Sequence, residues 1–123
     1  MNPTTNFYDI LANEYAQIIH IYNLSNPLDN QQITTEISEL LAQNNRNFII
    51  ALDSLNFLNS TGLNLLINAL TRVRNLGGEL IITGISTQMR QVFVLTKLQN
   101  MFLTKPTLEE GLDFFKNREK KAE

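Results

Sequence analysis

Cysteine is absent from the 123 residues. Disulfides, thiol nucleophiles, cysteine–zinc sites and iron–sulfur clusters are thereby excluded. Histidine occurs once, as His20. One chain therefore cannot build a multi-histidine metal centre, and His20 is the sole candidate for the base of a Ser-His-Asp triad. An excess of basic charge is missing as well. Ten Lys and Arg against twelve Asp and Glu give a net charge of −2, unlike the basic footprint of a nucleic-acid binder. The apolar runs last only a few residues, far short of a membrane span. Met1 to Phe7 carries neither the basic residue nor the apolar core of a secretory signal. These absences predict a cytoplasmic protein with no direct contact to nucleic acid or membrane. Three phosphate and metal motifs are missing too: G-x-x-x-x-G-K-[ST], G-x-G-x-x-G and H-E-x-x-H. Gly77-Gly78 follows a helix, the wrong side for cradling a phosphate. The reading is a non-enzyme with no cofactor, no metal and no catalytic residue.

What is present is the composition of one globular domain: 43% hydrophobic and 18% charged residues. Phe7 to Ala12, a turn at Asn13-Glu14, and the Ile-rich stretch Tyr15 to Tyr22 suggest an opening β-hairpin. Asn23 to Asp29 is turn chemistry. Ile33, Ile37, Leu40 and Leu41 then recur on one face of a helix. Phe48 to Leu52 is a continuous apolar run, the mark of a strand buried on both faces. Leu63, Leu66, Ile67, Leu70 and Val73 define a helix from Ser60-Thr61 to Gly77-Gly78, with hydroxyls at its start and glycine after its end. Leu80 to Ile82 is another strand. Ser86 caps a third helix with Met89, Val92 and Phe93 inward. Met101 to Leu103 is a short strand stopped by Pro106, and Thr107 opens a last helix with Glu109 and Glu110 in its first turn. The order β-β-α-β-α-β-α-β-α predicts an α/β fold: a mixed, mostly parallel sheet with an opening hairpin, packed by about four helices. Residues 1–123 form one domain, with 1–6 and 117–123 as loose termini.

The chemistry-bearing candidates are few. His20 lies in a strand and reads as a packed or half-exposed strand histidine. Asp53 follows a strand, where open α/β sheets place their sites, and a turn-forming aspartate explains it equally well. The informative segment is Leu52 to Leu63. A strand ends, a short loop crosses, and a helix opens with Ser60, Thr61 and Gly62. Such a helix start has outward N–H groups and a hydroxyl at its cap. The plainer reading is that Asn59 or Ser60 caps the helix and nothing more.

The string Leu58-Asn59-Ser60-Thr61-Gly62-Leu63 resembles the Asp-Ser-Ser-Gly-Leu signature of STAS domains, which include the bacterial anti-sigma factor antagonists. The resemblance extends from about Tyr15 to Phe115, through Phe48 to Asp53, Arg74 to Leu80 and Thr83 to Phe102. It implies a single STAS-like domain acting in transcription regulation and signal transduction. Its partner would be an anti-sigma factor with serine kinase activity, and a serine phosphatase would reverse the modification. Ser60 matches the phosphorylated serine, with Thr61 as second choice. Asn26, Asn59, Ser60, Thr61 and Gly62 match the partner-binding positions. Ser54, although it follows an aspartate, lies too early to be that serine. Two departures stand out. Asn59 replaces the aspartate before the serine. Asn23-Leu24-Ser25-Asn26 replaces the family's Gly-Glu-hydrophobic-Asp turn, with Asn26 at the acid's position. They motivate a second expectation: a constitutive scaffold or docking module, not phosphorylated, that either self-associates as a homo-oligomer or binds its partner regardless of Ser60. A third is nucleotide binding at the same helix start, with Arg46 and Arg72 the nearest basic residues.

Overall fold

The computed structural model describes residues 7–24 and 27–122. Its elements are β1 (Tyr8–Ala12), β2 (Gln17–Ile21), α1 (Pro27–Ala42), β3 (Asn47–Ala51), α2 (Ser60–Asn75), β4 (Glu79–Thr83), α3 (Thr87–Leu95), a 3-10 turn (Leu98–Asn100), β5 (Leu103–Lys105) and α4 (Leu108–Ala122). They build one sheet of order β1-β2-β3-β4-β5. The β1–β2 hairpin is antiparallel and the remaining pairs are parallel, as the alternation of strands and helices requires.

Side-chain alternation divides the core into two layers. Ile19, Ile21, Phe48, Ile50, Leu80 and Ile82 face the layer formed with α1, α2 and α3. Ile18, Ile49 and Ile81 face the other way, onto Phe115 of α4. Both faces of β3 and β4 are thus covered, which is why their sequences read as unbroken apolar runs. Helix α2 ends as expected. Gly77 takes φ of 84°, and the N–H groups of Gly77 and Gly78 close back on the carbonyls of Arg74 and Val73. That pairing is the Schellman motif, in which glycine avoids the Cβ penalty of the left-handed turn.

Three boundaries differ from the sequence expectation. Helix α1 begins at Pro27, inside the stretch read as turn. Proline suits a first helical position because its missing N–H would be unpaired there anyway, and Asp29 in the first turn suits the dipole. The last strand is Leu103–Lys105 rather than Met101–Leu103. Phe102 is apolar because it is buried against Phe93, with ring centroids 5.4 Å apart. Helix α4 also runs on to Ala122 through the charged stretch that read as a loose tail. Residues 1–6, the other expected loose end, lie outside the described residues.

Candidate functional site

Parallel strands β2, β3 and β4 bring three loops to their carboxyl ends, where sites form in open α/β sheets. The middle loop, between β3 and α2, is anchored at both sides. Leu52 N–H donates to the Thr83 carbonyl at 2.9 Å. Ser86 Oγ donates to the Asn56 carbonyl at 2.6 Å and accepts from Met89 N–H, so the cap of α3 also holds this loop. Gly84, with φ of 73°, lets the β4–α3 loop close on Asp53; a Cβ there would stand 2.8 Å from the Asp53 amide nitrogen. Leu58 is buried and pins the loop to the core.

Asn59 is the cap of α2. Its extended backbone has φ of −88°, and its side-chain oxygen accepts from Gly62 N–H at 2.8 Å. Ser60 is therefore released from capping. It is the first helical residue and is exposed. Thr61 is half-buried, and its carbonyl accepts from Asn30 Nδ2 at 2.7 Å, which ties α1 to the start of α2. Gly62 is buried beneath this surface. A Cβ there would stand 2.8 Å from Leu58 Cδ2 and 3.5 Å from Leu24 Cδ1, so glycine lets the first turn seat on those leucines. Asn26 lies outside the described residues. A groove of about 200 Å³ runs beside the helix start, with Tyr22 and Asn23 on one wall and Ser54 to Asn59 on the other.

The structure also brings together residues that the sequence reading kept apart. His20 Nε2 lies 3.2 Å from Ser54 Oγ and 3.4 Å from Asp53 Oδ1. A hydrolytic triad needs serine on one ring nitrogen and the carboxylate on the other. Here both crowd one nitrogen, so the arrangement is a polar clasp between β2 and the loop. The His20 ring stacks on Tyr22 at 4.6 Å. Tyr22 donates to Asp9 Oδ2 at 2.6 Å. That hydrogen bond, then burial and the nearby carboxylates, raise the Tyr22 phenol above its ordinary value. Phe57, two residues before the cap, is 68% exposed. Its only sequence signal is an aromatic within an otherwise small and polar loop.

The basic residues lie elsewhere. Arg46 precedes β3 at the amino end of the sheet and donates to the Leu41 and Asn45 carbonyls. Arg72 sits twelve positions after Ser60 on α2, about 18 Å along the helix, and donates to Ser38. Neither belongs to the helix start.

The STAS domain family model matches residues 10–111. The chain belongs to the STAS domain family. A search of curated proteins finds no match. Among solved structures, this STAS domain superposes on a serine-to-glutamate variant of RsbS from Moorella thermoacetica with TM-score 0.82, at 19% identity, covering 94% of this chain and 99% of that one. An anti-sigma factor antagonist from Mycobacterium paratuberculosis gives 0.74 at 18% identity, covering 89% and 92%. The Bacillus cell fate determinant SpoIIAA in its phosphorylated form gives 0.68 at 22%, covering 86% and 96%. At these identities the likeness is one of fold. Among the described residues, no helix is long and apolar enough to cross a membrane.

Proposed function

We propose that this STAS domain is an anti-sigma factor antagonist-like regulator. It docks on an anti-sigma factor with serine kinase activity and is switched by phosphorylation at Ser60. The observation that carries the reading is the division of labour at the start of α2: Asn59 does the capping, and Ser60 stands exposed beside it. A serine committed to capping would have to break a helix-end hydrogen bond to be modified. The names of two structural relatives agree with a switch, one being a phosphorylated form and the other carrying glutamate for serine.

The docking surface comprises Asn59, Ser60, the exposed edge of Thr61 and the Phe57 ring, with Asn26 as its expected continuation. Phe57 supplies the apolar anchor that such a contact needs. Phosphorylation adds about −1.5 to −2 charges at the centre of that surface. A dianion there is repelled by an acidic partner and costly to desolvate against an apolar one. The complex parts while the fold stays intact.

Site-resolved phosphopeptide mass spectrometry on protein from its native cells, over Phe48 to Arg72, tests the reading. Phosphate on Ser60 is expected. Phosphate on Thr61 alone keeps the switch and moves its residue. An unmodified peptide under growth and stress alike returns the chain to a constitutive docking module. In binding assays, Ser60→Asp is expected to weaken the partner complex with a melting temperature close to wild type. Undiminished binding would sink the switch.

A further inference from the structure

The two edges of the sheet are built differently. β5 has three residues and closes on Lys105-Pro106, the lysine and proline that commonly guard an edge. β1 has five residues, Tyr8-Asp9-Ile10-Leu11-Ala12, with neither lysine nor proline. Among the described residues its strand partner is β2 alone.

The hydrogen-bond phase of β1 shows which groups face outward. Tyr22 N–H donates to the Phe7 carbonyl at 2.7 Å, and Asn13 N–H donates to the Ala16 carbonyl at 3.0 Å. Both pairs continue the β1–β2 register, in which Asp9 faces His20 and Leu11 faces Ile18. Bonded pairs alternate along an antiparallel ladder. Phe7, Asp9, Leu11 and Asn13 therefore bond inward, and Tyr8, Ile10 and Ala12 turn their N–H and C=O groups to the outer edge, which no strand among the described residues covers.

We propose that this edge is an interface between two copies of the chain, with their β1 strands antiparallel about a two-fold axis at Ile10. The strand is self-complementary in that register. Ile10 meets Ile10 of the second copy, and Tyr8 meets Ala12 of the second copy, so all three outward residues on each side are paired. Asp9, the one charge in the strand, sits opposite Leu11 of the second copy and not opposite another Asp9. This also covers Leu11, which is 64% exposed, by extending one continuous sheet across both copies. Two short edges bury less than a standard interface, so the dimer is weak and concentration-dependent. Asp29 of α1 flanks the joint, and salt screens its charge.

The test is sedimentation velocity on the full chain at physiological ionic strength across a wide concentration range. The expected result is a reversible monomer–dimer equilibrium. Ala12→Pro removes an outward N–H and no bond to β2, and an edge strand accepts proline there. By symmetry it deletes two intermolecular hydrogen bonds, so the dimer is expected to weaken about thirtyfold. Leu11→Asp, on an exposed side chain, sets like charges opposite Asp9 and also weakens it. Leu11→Lys sets opposite charges there and preserves or tightens it. A strict monomer at every concentration overturns the proposal. So does a dimer indifferent to Ala12→Pro and Leu11→Asp, or one weakened equally by Leu11→Lys and Leu11→Asp. None of these variants touches Ser60, so the result stands apart from the phosphorylation reading.

Discussion

Replacing Asn59 by alanine separates capping from signalling. In the structure the Asn59 side chain satisfies Gly62 N–H at 2.8 Å, one of the orphan donors of the first turn of α2. Alanine cannot accept that bond. Loss of such a cap costs about 1 kcal/mol, within a range of roughly 0.5–2. For a domain of this length, about 1 kcal/mol corresponds to a fall in melting temperature of roughly 4 °C. The effect should not be larger, because Leu58 and Gly62 still seat the helix start on the core. Thermal unfolding followed by far-UV circular dichroism measures it. Asn59→Asp is the control: an aspartate keeps the acceptor and adds a charge favoured at a helix N-terminus by about 0.3–1 kcal/mol. The expected order of stability is Asn59→Asp at or above wild type, with Asn59→Ala below both. An Asn59→Ala chain that melts with wild type would refute the capping assignment, and Ser60 would then be the residue to test as the cap.

Two other sites carry predictions of their own. Among the described residues Glu36 Oε2 is buried without a hydrogen-bond partner, and burial, with Glu39 nearby, raises its carboxyl above the ordinary value. A carboxyl with a raised folded-state value binds its proton more tightly when folded. Its ionised form therefore subtracts from stability once pH exceeds the folded value, and the penalty vanishes below the unfolded one. Glu36→Gln is expected to raise the melting temperature at pH 7 and to lose that advantage below about pH 4; an equal gain at both pH values would contradict the cause. Gly84→Ala forces a left-handed backbone on alanine and sets its Cβ within 2.9 Å of Asp53 backbone atoms. The expected cost is roughly 2–4 kcal/mol, read from the urea midpoint. A cost below about 0.5 kcal/mol would mean that the loop relaxes freely.

Legibility in the sequence follows burial. Phe48 to Leu52 and Leu80 to Ile82 read clearly because helices cover both faces of β3 and β4, leaving no polar position to blur the run. The end of α2 read clearly because Gly77 and Gly78 do local work. The start of α1 was hidden because proline and polar residues suit a turn and a helix N-terminus equally. β5 was misplaced because Phe102 owes its apolar character to a tertiary contact with Phe93. At the site, Asn59 and Ser60 were interchangeable as caps until backbone geometry chose between them. The clasp of His20 to Ser54 spans 34 residues, and no local pattern announces it. Phe57 stood in the sequence as one more apolar residue, and only its exposure marks it.

The substitution of asparagine for aspartate before Ser60 has an energetic meaning for the phosphorylated state. The first turn of α2 contains no acidic residue, so a phosphate on Ser60 would meet the helix dipole without a carboxylate beside it in that turn. An aspartate at position 59 would change this. Two like unit charges roughly 6 Å apart in water repel by about 0.7 kcal/mol. A phosphate of about −1.5 to −2 then repels the neighbouring carboxylate by about 1 kcal/mol or slightly more. Asn59→Asp, neutral or mildly stabilising in the unmodified chain, is thus expected to lose that advantage on phosphorylation. Chemical ligation of a phosphoserine-60 peptide into both backgrounds allows the cycle to be closed by thermal melts. The expected coupling is about 1 kcal/mol, against Asn59→Asp in the phosphorylated chain and shrinking as salt is added. Zero coupling at low salt would show that the two side chains point apart. The charge at position 59 would then bear on the kinase's recognition of Ser60 and not on the stability of its product.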